Sequence, residues 1–211
     1  ALSSAASDVY KRQEIMKLNM VHDIQSVYRK VLNAMAKPGV IENLQKEADK
    51  VDIDINCYKS TFLIMMMLLD REVSFNVVSE MSIDVSSLIS QITYAKVKPL
   101  EEADYIFVLD DFCDEDLDIV IKKAKIGDLV DPNNSATIIA EFKCLDNDNN
   151  EANILNFKGP GIKNLNEVKI SGETKWIKER SLKNEEYPLG IDLIYAVSYT
   201  HLRAHETTLH L

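Results

Sequence analysis

The chain has 211 residues, 46% hydrophobic and 27% charged, which is enough apolar material for one sizeable core and the usual balance of a globular domain. Its formal net charge of -10 excludes a broad nucleic-acid surface, which needs clustered Lys and Arg, while leaving room for a small local anion site. The longest apolar run, residues 62–69, is far short of the roughly 20 needed to cross a bilayer, and no N-terminal stretch has the order of a signal peptide, so a cytoplasmic protein with no membrane partner is expected.

Residues 3–13 (SSAASDVYKRQ) and 197–207 (VSYTHLRAHET) read as translated transposon-type sequencing adapters, so residues 1–15 and 197–211 are set apart from one domain at 16–196 that lacks its own C-terminus. His201, His205 and His210 fall in or beyond the second stretch, and their spacing is not read as a metal site; His22 alone belongs to the domain. Cys57, Cys113 and Cys144 are odd in number, widely spaced and without a CxxC, which points to reduced, mostly buried thiols rather than disulfides or zinc.

From Asp23, the residues Ile24, Val27, Tyr28, Val31, Leu32 and Met35 recur at helical spacing and predict a helix with one apolar face, ended by Lys37-Pro38-Gly39. Asp23 suits the helix start, where a carboxylate accepts an orphan backbone N–H. Residues 56–70 (NCYKSTFLIMMMLLD) are apolar nearly all round and predict a helix buried on more than one side, with Met65, Met66 and Met67 as core filler. A short strand at 75–78, a helix at 83–92 packing Ile83, Leu88, Ile89 and Ile92, and a strand covered on both faces at 105–109 follow.

Asp114, Glu115 and Asp116 open a further helix, with Leu117, Val120, Ile121 and Ala124 inward and Lys122, Lys123 and Lys125 late, as the helix dipole favours. Residues 137–142 read as a strand, 146–151 as a polar turn, 153–157 as the hairpin partner of the preceding strand, 158–162 as a rigid turn, and 174–184 as a helix. The acids at 146–151 lack the central glycine and terminal glutamate of a calcium loop. Tyr187-Pro188-Leu189-Gly190 leads into a last strand at 191–196. Strands alternating with helices, without a clean βαβ fingerprint, give the α/β class: a single layered domain on a mixed sheet.

Three segments, HDIQSVYRKVLNAMAKPG at 22–39, GPGI at 159–162 and YPLGIDLI at 187–194, resemble in this order the PhnH family, a subunit of the carbon-phosphorus lyase system. The resemblance spans about 17–196 and includes the buried helix at 60–70; the PRTT-type ending that follows PLGxDLI in that family is replaced here by the adapter-like stretch. It implies a three-layer fold similar to the large domain of PLP-dependent transferases but without PLP, and no lysine here sits in a recognisable Schiff-base context. It further implies a homodimeric subunit that works with the PhnG, PhnI and PhnJ chains. With PhnG and PhnI the system replaces the adenine of MgATP by a phosphonate, giving a ribose 1-phosphonate 5-triphosphate that PhnJ later cleaves. PhnI is credited with the nucleosidase chemistry, so this chain is expected to be required, to bind no cofactor of its own, and not to be the lone catalyst.

Displacement at a ribose anomeric carbon needs an oxocarbenium-stabilising group, a proton for the leaving adenine and cations around the triphosphate. The chain has no GxxxxGKS/T loop, no GxGxxG after a strand and no Ser-His-Asp or Cys-His pairing, so no catalytic residue or metal ligand is assigned. Candidate binding residues are Arg29, opposite the apolar stripe of its helix; Gly159 and Gly161, whose amides can approach a phosphate; and Asp192, a carboxylate in an otherwise apolar strand. Each has a structural alternative: surface solvation for Arg29, a turn locked by Pro160 for the glycines, and pairing with Arg29 or a backbone amide for Asp192. Two readings stand. One is a subunit whose exposed apolar and aromatic surface, including Tyr187 and Trp176, binds like copies and the PhnG and PhnI chains. The other is a stand-alone small-anion-binding enzyme on a transferase-like scaffold, which a pocket gathering Arg, Asp and glycine amides would favour.

Overall fold

The computed structural model describes residues 17–111, 114–142, 153–159, 161–163, 165–170, 174–197 and 201–205, with backbone alone for 114–116 and 201–205. In chain order these form α1 (His22–Ala36), β1 (Ile41–Asn43), α2 (Gln45–Ala48), α3 (Lys59–Leu68), β2 (Ser74–Val78), α4 (Ser82–Thr93), β3 (Lys96–Val97), β4 (Tyr105–Val108), α5 (Asp114–Lys123), a 3-10 turn (Pro132–Asn134), β5 (Thr137–Phe142), β6 (Asn153–Phe157), β7 (Asn166–Ile170), α6 (Lys175–Lys183), β8 (Asp192–Val197) and β9 (His201–His205). The continuous apolar strands decide how these are arranged. Five of the six residues of β5 and of β8 are buried, which is possible only where both faces of a strand are covered.

The strands lie in the order β1-β9-β8-β5-β4-β2-β3. β8, β5, β4, β2 and β3 run parallel to their neighbours, whereas β9 runs antiparallel to both β8 and β1. Val77, Phe107, Ile139 and Ile194 stand in one row across four strands and bury against α1, α3 and α4. The next row, Ile106, Ile138 and Leu193, points the other way and packs with α5, Trp176 of α6 and the apolar side of the β6–β7 ribbon. The α/β class with a mixed, mostly parallel sheet is therefore borne out, and helices cover it on both faces.

Several details differ from expectation. β6 pairs with β7, not with β5. The reason is that β4 and β8 already occupy both edges of β5. β7 went unread because NEVKI is short and charged, although its Val168 and Ile170 alternate inward. On α1 the buried residues are Val27, Val31 and Ala34, while Tyr28 and Leu32 are more than half exposed. The apolar stripe is wider than the contact it makes. On α4, Val85, Ile89 and Thr93 are buried and Ile83 is exposed. Trp176, expected on the surface, is buried with its ring 5.8 Å from that of Tyr195. Residues 201–205, inside the second adapter-like stretch, pair antiparallel with β8 on one side and with β1 on the other. The polar turn at 146–151, Cys113 and Cys144 lie outside the described residues.

The entrance to α1 is a reciprocal cap: Asn19 Oδ1 accepts the N–H groups of Val21 and His22 at 3.0 and 2.8 Å, and Asp23 Oδ2 accepts that of Asn19 at 2.8 Å. Asp23 thus takes an orphan N–H as expected, and it also pairs with Lys50 at 2.6 Å. The helix is tied to α2 by Glu47, which is buried and accepts Ser26 Oγ at 2.8 Å and Lys30 Nζ at 2.6 Å. Burial pushes the Glu47 carboxyl up, but the bonds from Lys30 and Ser26 outweigh it and hold the pKa below the usual value. Glu47→Ala is therefore expected to lower unfolding stability by about 2 kcal/mol at neutral pH, the modest end for a broken buried pair because Lys30 keeps part of its hydration. The lowered pKa makes this a contribution present above the unfolded carboxylate pKa and lost as the pH falls through the folded one. Urea titrations of both proteins at neutral and acidic pH should show the difference shrinking in acid.

Candidate functional site

The first two motif segments are packed on each other. Gly39 and Gly161 both adopt positive φ, +87° and +80°. A Cβ on Gly161 would lie 2.4 Å from the carbonyl oxygen of Ala36, the last residue of α1, and one on Gly39 would lie 2.8 Å from the side chain of Asn166. Asn166 Nδ2 in turn donates to the Pro38 carbonyl at 2.8 Å. The close backbone approach that Gly161 permits is thus made to the end of α1. Gly159 is half-buried, and its carbonyl accepts the Ile162 N–H at 3.2 Å, closing the turn.

The third segment enters the sheet through Asn184, whose side chain accepts the N–H of Ile191 and donates to its carbonyl, both at 3.0 Å. Asp192 follows, half-buried at the amino end of β8 and opposite Thr137, with its N–H bonded to the Ala136 carbonyl at 3.3 Å. The arginine whose charge it feels is Arg180 of α6, itself buried. Burial drives the Arg180 pKa down, opposed by Tyr195 and Asp192. Arg29 is exposed on α1. Neither of two open grooves is lined by Arg29, Gly159, Gly161 or Asp192: one of about 790 Å³ lies between α4 and the β2–β3 edge, the other of about 470 Å³ between α5 and α6. Gly159 and Gly161 share one turn, Arg29 stands on α1, and Asp192 opens β8.

In open parallel sheets, ligands bind beyond the carboxyl ends of strands where successive connections leave on opposite faces. That point lies between β2, which runs on into α4 on one face, and β4, which runs on into α5 on the other. The groups there are acidic. Asp111 Oδ2 accepts Ser79 Oγ at 2.7 Å and the Glu80 N–H at 2.8 Å. Close by, Glu141 of β5 is 1% exposed and accepts the N–H groups of Tyr58 at 2.7 Å and Asp110 at 3.0 Å. Burial raises its pKa to about 7 and the charge of Asp110 adds to the rise, against the Thr61 hydroxyl and the two N–H groups. The Thr61 oxygen is near enough to favour the carboxylate, yet it is buried without the geometry of a hydrogen bond. Burial also raises the Tyr58 phenol, helped by its bond to Asp110, and the Cys57 thiol, helped by Glu141. Such a cluster can hold a proton near neutral pH; it offers no cation for a phosphate. Among the described residues, no three His, Cys, Asp or Glu side chains are grouped to hold a metal ion.

Sequence reasoning missed Glu141, although the signal was the one that singled out Asp192: one charged residue in an apolar strand, here TIIAEF.

A family model described as bacterial phosphonate metabolism protein (PhnH) matches residues 17–204, most of the chain. The chain belongs to the PhnH family. Membership places it in bacterial phosphonate metabolism, in the carbon-phosphorus lyase system. No curated protein sequence matches it. In this PhnH-family chain no helix among the described residues is long and apolar enough to cross a membrane, and two of the three recognisable segments build one joint between α1 and the turn before β7. Gly161→Ala is expected to cost about 2 kcal/mol or more of stability, since it combines a positive φ with a collision against backbone that cannot swing aside. Thermal unfolding would check this; a variant as stable as the parent would mean that the joint is not close-packed.

Proposed function

We propose that this chain is a subunit of the carbon-phosphorus lyase assembly, needed with the PhnG and PhnI chains for replacing the adenine of MgATP by a phosphonate, ahead of the PhnJ step. In this reading it is cytoplasmic, forms a homodimer, carries no PLP despite a fold similar to the large domain of PLP-dependent transferases, and meets MgATP only as substrate of the complex. Family membership supports the pathway. The surface of α1 supports the role of subunit. Val21, Tyr28 and Leu32, spaced seven and four residues apart, form an exposed apolar stripe along the outside of the helix at 72%, 53% and 51% exposure. A large aromatic and two aliphatic side chains in line on one helix suit a protein contact better than solvent.

Tyr187 is also exposed, as expected for a contact residue, but the strand that follows it, β8, lies inside the sheet and presents no apolar patch. The reading as a stand-alone small-anion enzyme called for Arg29, Asp192 and the glycine amides to line one pocket, and neither groove described above is lined by any of them.

The test is co-expression with PhnG and PhnI chains, size exclusion, and an assay of phosphonate-dependent adenine release. Co-elution is expected, with activity lost when this chain is left out. The double variant Tyr28→Asp, Leu32→Asp should weaken association by at least about tenfold while leaving circular dichroism unchanged, because both side chains are exposed. A chain that elutes alone, with adenine release indifferent to it, would refute the subunit reading.

A further inference from the structure

β5 carries one ionisable side chain into the apolar interface between the sheet and α3. Alternation sends Ile139 and Glu141 to the face that α3 covers, and there the two carboxylate oxygens of Glu141 are divided between elements. Oε1 accepts the N–H of Tyr58, the residue before α3, at 2.7 Å, and Oε2 accepts the N–H of Asp110, two residues past β4, at 3.0 Å. A single carboxyl therefore joins the start of a helix to the end of a strand. The groups facing it are Cys57 and Tyr58 from the segment before α3, Thr61 from the first turn of α3, and Asp110 from the end of β4; its neighbour across β8 is Ala196, which bears no charge. None of these is a cation. The Thr61 hydroxyl is buried without a hydrogen-bond partner and close enough to this carboxyl to favour its ionised form.

We propose that Glu141 is a proton-operated latch: ionised, it draws the start of α3 and the end of β4 together through two charge-assisted N–H bonds, and protonated, it gives up one of them. The chemistry follows from acceptor count. A carboxylate has two equivalent acceptor oxygens, whereas a carboxylic acid turns one into an O–H donor, which must release the amide it held and turn towards Asp110 or Thr61. With the carboxyl at about 7, both forms are populated near neutrality.

Linkage then makes local and global effects opposite in sign. Because the folded pKa lies above the unfolded value near 4.5, the folded chain holds the proton more tightly, and the stability from this group falls as pH rises from about 4.5 to about 7 and is level beyond. Over the same range the local latch tightens. A purely structural carboxylate, ionised throughout, would show neither trend. The latch belongs to this chain alone and stands or falls independently of its assembly with partners.

The experiment is a pH titration of the full chain from about pH 5 to about pH 9, following the backbone amide protons of Tyr58 and Asp110 by NMR. Both are expected to move downfield together with one midpoint near 7. Thr61→Val should raise that midpoint by about 0.5 unit or more by removing a hydroxyl that favours the carboxylate, and Glu141→Gln should abolish the titration. In urea, the stability of Glu141→Gln relative to the parent should increase with pH. Separate midpoints for the two amides, a midpoint below about 5, or a titration that persists in Glu141→Gln would overturn the proposal. Should Glu141→Gln fail to fold, the parent and Thr61→Val titrations still decide it.

Discussion

The rest of the structure depends on the burial of β4, β5 and β8 on both faces. Parallel strands with apolar residues at successive positions cannot leave either face wet, so α1, α3 and α4 must cover one side and α5, α6 and the β6–β7 ribbon the other. Each layer is held by what the strands offer it. On the α6 side the offer is aromatic: Tyr195 lies edge-on to Phe142 at 5.4 Å between ring centroids and tilted against Trp176 at 5.8 Å. On the other side it is the aliphatic and phenyl row of Val77, Phe107, Ile139 and Ile194.

Such a fold makes every polar group that enters a layer expensive, and three that do are held by partners from other elements. Glu47 takes Lys30 and Ser26, Glu141 takes two backbone N–H groups, and Ser74 shares Asp104 through both its N–H and its hydroxyl. In each case a side chain joins two elements that are distant in sequence. The polar interior of this protein is thus mostly joinery. Burial pushes both carboxyls up; at Glu47 the bonds from Lys30 and Ser26 outweigh it, whereas at Glu141 burial prevails, and no cation among the described residues is seen to offset it.

The same logic bears on function. Of the two glycines whose amides could approach a phosphate, Gly161 instead lets its turn meet the backbone at the end of α1, and the charge of Asp192 acts on Arg180 within the fold. Little of the polar chemistry converges outward, while an apolar helix stripe does face outward. That pattern accords with the proposal of a subunit, made for a family of bacterial phosphonate metabolism.

Much of this was legible from the residues themselves. The helical spacing from Asp23, the buried run ending at Asp70, the covered strand read at 105–109 and found at 105–108, and the inward Leu117, Val120 and Ile121 all reappear in the structure, because periodicity and run length report local geometry and local burial. Three short segments were enough for the family. Tertiary structure alone decided the partner of β6, the outward turn of Tyr28 and Leu32, the burial of Trp176 and the seclusion of Glu141. Each of these turns on which other element arrives: an edge already occupied, a helix stripe wider than its neighbour, a lysine that reaches one carboxylate and not another. Hydrogen-bond pairing between strands and the desolvation of a charge are set by contacts across the chain, which a local pattern such as the lone glutamate in TIIAEF can flag but not fix.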